Sequence, residues 1–566
     1  MSSHVQGRRG VGLALACSLT LLALLPASAP AAPGDGTNVQ ADFNGDGYAD
    51  LAVGVPYENG GANNGQGVVQ LIFGSAQGLG GGSTQEISQD SPGVEDSSEA
   101  GDWFGYAVAA GDFNGDGFSD LVVGTPNEDQ GTNRHENSGV ADVFYGAAEG
   151  LQTENSTHLI QGIAGLPDHP EAGDLFGWYA VAADLNGDGT DDVVVSAQGE
   201  DVPFPAWPAV SSTNTGVVQA LYGSPQGIQT QGGTYLSEAS APLSQSLINW
   251  SQFGFAMTAG DFDNDGFADL AVGASGRRVG FHAQAGTAYV IYGSAGGLDP
   301  SRGQVWTQNV PGVENQSNSR DQFGRGLASG DFDGDGRADL VIGVPGESLG
   351  TAICDWPLAA DTAAPDPNPS QSKCVGAAHV LYGSQSGLTA ANSDFLIQGQ
   401  NGLGTDWHRY DYLAFTWTIS SGDFNADGRD ELALGAFAKN LGSLVDAGAL
   451  YLVPGANQGL AVADTRMLTQ NDGFTGDQAE HYETLSMSVS SGDFDGDGID
   501  DLVAGVFGED LSTPPSIDAG AIQLLYGAPS GPTPLYAPFL TQSLLPGLGP
   551  SETADYFGAP LASAHM

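Results

Sequence analysis

The sequence predicts an all-β fold, a seven-bladed β-propeller of four-stranded antiparallel blades. Three observations predict it: an acidic phrase that recurs seven times, short β-rich apolar runs at fixed places around it, and a repeat split between the two chain ends. The phrase first reads Asp42-Phe-Asn-Gly-Asp-Gly-Tyr-Ala-Asp50 and returns at Asp112, Asp184, Asp261, Asp331, Asp423 and Asp493. Its intervals are 70, 72, 77, 70, 92 and 70 residues.

Within each unit the order is the same. An aromatic stands eight residues before the Asp, at Phe104, Phe176, Phe253, Phe323 and Phe415, and all but Phe415 are followed by Gly. After the acidic loop come β-rich runs such as Leu121–Gly124 and Leu270–Gly273, then runs that end in a turn, such as Val290–Gly293 and Leu524–Gly527. A weaker fourth run follows, as at Gln304–Gln308. No segment has helical periodicity. The first loop lacks a preceding Phe-Gly strand, and Asp555–Ala564 reads as that missing strand. It is expected to complete the first blade and close the ring, leaving no open sheet edge.

The acidic loops read as metal sites. Oxygen side chains fall at positions 1, 3, 5 and 9 of each loop, and position 6 is always Gly, which permits a sharp turn. Position 7 can add its backbone carbonyl. The expected ligand sets are Asp42, Asn44, Asp46, Tyr48 and Asp50; Asp112, Asn114, Asp116, Phe118 and Asp120; Asp184, Asn186, Asp188, Thr190 and Asp192. They continue with Asp261, Asp263, Asp265, Phe267 and Asp269; Asp331, Asp333, Asp335, Arg337 and Asp339. The last two are Asp423, Asn425, Asp427, Arg429 and Glu431, and Asp493, Asp495, Asp497, Ile499 and Asp501. Oxygen-only ligands without thiol or imidazole select Ca²⁺, and a flexible loop rich in ligands disfavours Mg²⁺. The loops start as an EF-hand does, but Val53, Val123 and Val272 stand where its bidentate Glu would be. One such loop alone would equally be an Asx-rich hairpin turn. Seven in register favour about seven structural ions.

The net charge is −54, from 14 Lys+Arg against 68 Asp+Glu. That excludes nucleic acid and anionic membranes as partners. It fits both a solvated surface and a set of cation ligands. Arg8 and Arg9, the apolar run Val11–Leu25 and the small residues up to Ala32 read as a signal peptide over 1–31, with the propeller over 32–566. Export to the periplasm, the cell surface or the medium follows, without membrane insertion. Cys354 and Cys374 lie in an insertion near 346–375 and form either a disulfide or two free buried thiols.

The Phe-Gly pairs and the later Val53–Pro56, Val123–Pro126 and Ile342–Pro345 resemble the FG-GAP repeat of integrin α-chain propellers, over roughly residues 38–566. The resemblance implies the propeller and its calcium loops. Departures are Leu485-Ser486 in place of Phe-Gly and the irregular Val453-Pro454. Glycosylphosphatidylinositol phospholipase D also carries such repeats, and certain rhamnogalacturonan lyases are calcium-rich propellers. No Gly-x-Ser-x-Gly, His-Glu-x-x-His or phosphate-cradling loop is present, so the expected function is non-enzymatic.

The expectation is a monomeric binding or adhesion module for an extracellular protein or glycan, the alternative a carbohydrate-active enzyme or lectin. Length variation concentrates in the second turn of each blade, and that face gathers Trp207, Trp356, Trp407, His408 and Tyr410 as candidate partner-binding residues. The competing reading is that Trp207 and Trp407 pack their own loops down.

Overall fold

A computed structural model describes residues 41–59, 65–130, 136–163, 165–204, 207–240, 243, 246–349, 373–374, 376–398, 403, 418–472, 478–512, 515–532, 539–548, 550–558 and 561–562. The expected signal peptide lies outside them, as do Cys354, Trp356, Trp407, His408 and Tyr410.

Seven four-stranded antiparallel sheets are present, one per acidic loop. Blade 4 shows the plan: Phe253–Gly260, Asp269–Ala274, Thr287–Tyr292 and Asp299–Trp306 pair in chain order. The inner three strands are buried along their whole length, whereas the outermost runs from part-exposed to buried Trp306. This gradient follows from sequence. The inner strands are continuous apolar runs, and the outer strand, Asp-Pro-Ser-Arg-Gly-Gln-Val-Trp, is polar until its end.

The innermost strands pack pairwise around the whole ring, from Ala107–Gly111 through Phe176–Ala183, Phe253–Gly260, Leu327–Gly330, Ile419–Gly422 and Leu485–Gly492 to Leu561–Ala562. The last packs on the first. Leu561–Ala562 also pairs antiparallel with Leu51–Val55, Val53 opposite Leu561. The C-terminal strand therefore completes blade 1, as the split repeat predicts.

The repeated aromatics are the wedges of the core. Phe104, Phe176, Phe253, Phe323 and Phe557 are fully buried, and so are the position-2 residues Phe43, Phe113, Phe262, Phe332, Phe424 and Phe494. Each buried Phe contributes about 2–3 kcal/mol relative to exposure. In blade 7 Leu485 takes the Phe position: it is buried and bridges Gly448 as Phe176 bridges Gly139. At that contact a Cβ on Gly139 would lie 2.1 Å from the Phe176 carbonyl oxygen, so only Gly fits.

The insertion leaves blade 5 through a short antiparallel stem, Ser348–Leu349 with Lys373–Cys374. Among the described residues no helix is long and apolar enough to cross a membrane.

Candidate metal centres

In blades 2–7 the acidic loop joins the innermost strand to the next, and in blade 1 the loop leads into Leu51–Val55, which pairs with the C-terminal innermost strand, so all seven lie on one face of the ring. The fold of the loop is written in its own carboxylates. Asp42 Oδ1 accepts the N–H groups of Gly45 and Asp46 at 2.6 and 3.1 Å, and Oδ2 accepts that of Gly47 at 2.9 Å. The position-1 Asp of every other loop accepts the N–H of its own position-6 Gly, from Asp112 at 2.9 Å to Asp493 at 2.8 Å. These glycines have φ between +81° and +92°. Six of the seven have open space where a Cβ would go, so backbone conformation and not crowding selects Gly there.

Position 5 turns back in the same way. Asp46, Asp116, Asp188, Asp265, Asp335 and Asp497 accept the position-7 N–H at 3.0–3.3 Å. The aromatic position-7 side chains turn to the neighbouring loop, whereas the Thr190, Arg337 and Arg429 side chains bond the position-5 Asp of their own loop. A Cβ on Gly45 would meet the Phe118 ring, one on Gly187 the Phe267 ring and one on Gly496 the Tyr48 ring. The one oxygen that all seven position-7 residues (Tyr, Phe, Thr, Arg, Ile) share is the backbone carbonyl.

Position 9 is the buried anchor. Asp50 accepts Phe43 N–H at 2.9 Å on Oδ2 and Gly74 N–H at 2.8 Å on Oδ1. Asp269, with Phe262 and Gly293, and Asp501, with Phe494 and Gly527, repeat this. Glu431 reaches the same place with one methylene more, receiving Asn425 Nδ2–H at 2.6 Å. Burial dominates the acidity of these groups and pushes Asp120, Asp192 and Asp501 up to about 8 and Asp269 to about 9, with the loop's other carboxylates adding to the rise.

The donor set fits a hard cation. Carboxylate oxygens of Asp261, Asp263 and Asp265 lie within 4.8 Å of one another, as do those of Asp331, Asp333 and Asp339, and of Asp493, Asp495 and Asp497. At that separation two charges repel by roughly 3 kcal/mol at an effective dielectric of about 20. Asp263 Oδ1, Asn114 Oδ1 and Glu431 Oε2 are buried and have no hydrogen-bond partner. A divalent ion would satisfy both conditions. Positive charge already gathers there: Arg302 pairs with Asp263 and Asp265, Arg337 with Asp335, and Arg429 with Asp427.

The loops also bond the blades together. The position-2 carbonyl of each blade accepts an N–H from the third turn of the next, seven times around the ring, from Phe43 with Ala147 at 3.2 Å to Phe494 with Ser75 at 3.4 Å.

The opposite face carries the second turns and the connections between blades. Trp207 lies there in a short hairpin opposite Phe204. A more continuous feature escaped the sequence reading. An arc of rings runs from Phe507 to Tyr556 (stacked, 4.1 Å), Tyr57 (5.6 Å), Trp103 (5.6 Å), Tyr106 (stacked, 5.7 Å), Trp178 (4.7 Å) and Phe255 (6.0 Å). The Arg325 guanidinium caps it, 4.4 Å from the Phe255 centroid. A signal for it was in the sequence. Tyr106, Trp178, Phe255 and Arg325 each stand two residues after the repeated Phe, and Trp103 and Tyr556 one before it.

Comparison with known proteins agrees with this architecture. The profile of the FG-GAP repeat matches residues 36–72, 104–149, 176–221, 253–291, 323–353, 415–453 and 487–531. Integrin alpha-5 of Xenopus laevis is 27% identical over 299 residues, 52% of this chain and 25% of that protein. Human phosphatidylinositol-glycan-specific phospholipase D is 30% identical over 209 residues, 36% of this chain and 21% of that protein. The chain thus spans about a quarter or less of these relatives. The rhamnogalacturonan lyase YesW superposes over 96% of both chains at 13% identity with a TM-score of 0.32, a likeness that carries no functional argument.

Proposed function

Because the chain belongs to the FG-GAP repeat family, we propose that it is an exported, calcium-stabilised propeller that binds an extracellular protein or glycan and catalyses no reaction. The observation that carries this reading is the division of labour between the two faces. One face holds seven oxygen-rich loops whose carboxylates are tied into their own backbone. Calcium there would draw on positions 1, 3, 5 and 9 and the position-7 carbonyl, and would hold the blades in register. Its contribution is structural charge neutralisation.

The other face presents apolar chemistry to solvent. Trp250, Phe281, Tyr482 and Ile517 are each more than half exposed and all lie in second turns or blade connections. Exposed aromatics on a rigid scaffold are the usual anchors of recognition, and the half-buried arc around Tyr57 and Trp103 continues the same surface. The relatives named as integrin alpha chains support an adhesive role. The phospholipase relative matches over too little of its length to transfer its reaction.

A pull-down with the calcium-loaded chain, paired with a glycan array, tests the reading. Trp250→Ala and Phe281→Ala should weaken capture at least tenfold with calcium content unchanged. Release of unsaturated sugars from polysaccharides by the purified chain would contradict it.

A further inference from the structure

A second family of acidic groups lies at the seams between blades, on the face opposite the loops. At six of the seams a residue after the outermost strand of one blade meets a residue in the second turn of the next. Five seams pair Gln with Glu through Gln Nε2: Gln89 with Glu128 at 2.7 Å, Gln161 with Glu200 at 2.8 Å, Gln308 with Glu347 at 2.7 Å, Gln470 with Glu509 at 3.5 Å, and Gln542 with Glu58 at 3.0 Å.

Two of these seams are laid out as ligand sets. Carboxylate oxygens of Glu58, Glu552 and Asp555 lie within 4.8 Å of one another, and so do those of Glu171, Asp174 and Glu200. Hydrogen bonding does not exhaust them. Asp555 is fully buried and its Oδ1 has no hydrogen-bond partner, and the Oε1 atoms of buried Gln542 and Gln161 have none either. The other Asp555 oxygen accepts the Glu552 N–H, and Asp174 Oδ2 accepts that of Glu171 at 2.6 Å. Each set is thus held by its own backbone with oxygens left to give.

The remaining seams say what charge belongs there. In blade 4 the second-turn position of Glu58 and Glu200 is Arg277, whose Nη1 lies 2.6 Å from Glu238, the residue at the Gln position. In blade 6 the same position is Lys439, also buried. Where the chain supplies its own cation it needs no other. Where three carboxyls meet without one, burial of their charge is uncompensated.

We infer that Glu58/Glu552/Asp555 and Glu171/Asp174/Glu200 are two further divalent-cation sites, taking an ion of the calcium class, with the amide oxygens of Gln542 and Gln161 as neutral donors. Oxygen-only donors of mixed charge suit that ion, and water completes the shell on the exposed Glu552 and Glu171 side. The first site joins Glu58 near the start of the ring to Asp555 beside its closing strand, so its ion clasps the two chain ends. Burial, then the facing Asp555, pushes Glu58 to about 7, and burial, then Asp174, pushes Glu200 to about 9, both relieved by an adjacent cation.

Native mass spectrometry of the calcium-loaded full chain at neutral pH counts the ions. Glu58→Gln with Asp555→Asn should carry one ion fewer than the unaltered chain, and Glu200→Gln with Asp174→Asn one fewer again at its own seam. Ion counts equal to the unaltered chain overturn the inference, and mean that shared protons neutralise these groups. If the ring-closing variant fails to fold, the Glu200 seam, internal to the chain, decides the matter alone. The loops are untouched in both variants, so a failure of the loop assignment shows separately, as too few ions in the unaltered chain.

Discussion

The backbone N–H of Ala49 donates to the carbonyl of Asp493 at 3.1 Å, joining the first acidic loop of the chain to the last. The same bond links Ser119 to Asp42, Asp191 to Asp112, Ala268 to Asp184, Ala338 to Asp261 and Asp430 to Asp331, at 2.9–3.1 Å. The ring is therefore closed through its acidic loops by the bond that joins ordinary neighbours. Closure itself is thus a matter of stability that mutation can measure.

Phe557 supports the closing strand as Phe253 supports blade 4, and both are fully buried. Phe557→Ala should cost about 3–5 kcal/mol, as much as Phe253→Ala. Urea unfolding compares them. A Phe557→Ala midpoint equal to that of the unaltered chain would mean that the C-terminal strand is dispensable.

Calcium dependence should vary with pH in a fixed direction. In loops without an ion, burial raises Asp120, Asp192 and Asp501 to about 8 and Asp269 to about 9. In the unfolded chain such groups ionise near about 4. Between those limits the folded state holds the extra protons, so the metal-free chain loses stability as pH rises through that window. Calcium binds the ionised form and restores the stability there. The gap in Tm between calcium and chelator should be small near pH 5 and widen towards pH 8. A gap independent of pH would contradict the assignment.

Position 3 tolerates Asn in four loops, at Asn44, Asn114, Asn186 and Asn425. Asp333→Asn should therefore fold normally and weaken calcium at that loop by roughly tenfold, through the lost charge. Asp331→Ala removes the acceptor of the Asp335 and Gly336 N–H groups and should unfold the loop even in excess calcium. Calorimetric titration and hydrogen exchange separate the two. Equal effects would show that position 3 is a scaffold residue and not a ligand.

His379 is fully buried, its ring 4.7 Å from that of Phe395 and 5.6 Å from that of Phe323, and neither ring nitrogen has a hydrogen-bond partner. Burial drops it to about 3. The unfolded chain takes up this proton near about 6.5, so the folded state loses stability as pH falls from there. His379→Phe should flatten the acid limb of the Tm profile and leave neutral stability equal or higher. An unchanged acid limb would place the sensitivity elsewhere.

Much of this molecule is legible in sequence because its repeats are local. Asp42 to Asp50 is a closed unit whose oxygen side chains and glycines sit within nine residues, and the Phe-Gly signal lies at a constant offset. The split repeat at Asp555–Ala564 reveals closure for the same reason. The seams were not legible in that way, because Gln161 meets Glu200 across a blade boundary. The signal exists as a spacing of 39 residues, shared by Gln89 with Glu128, Glu238 with Arg277 and Gln308 with Glu347, but it joins residues of different motifs. The aromatic arc was hidden because its members come from three parts of the repeat. Sequence instead pointed to Trp207 and Trp407, which stand out by rarity and not by register.

The central claim is that the seven acidic loops are calcium sites. Anomalous scattering from crystals grown with calcium tests it most directly. A peak is expected in every loop, about 2.3–2.6 Å from the oxygens of positions 1, 3 and 5. Loops that keep this geometry with no anomalous peak, at calcium concentrations of several millimolar, would contradict it.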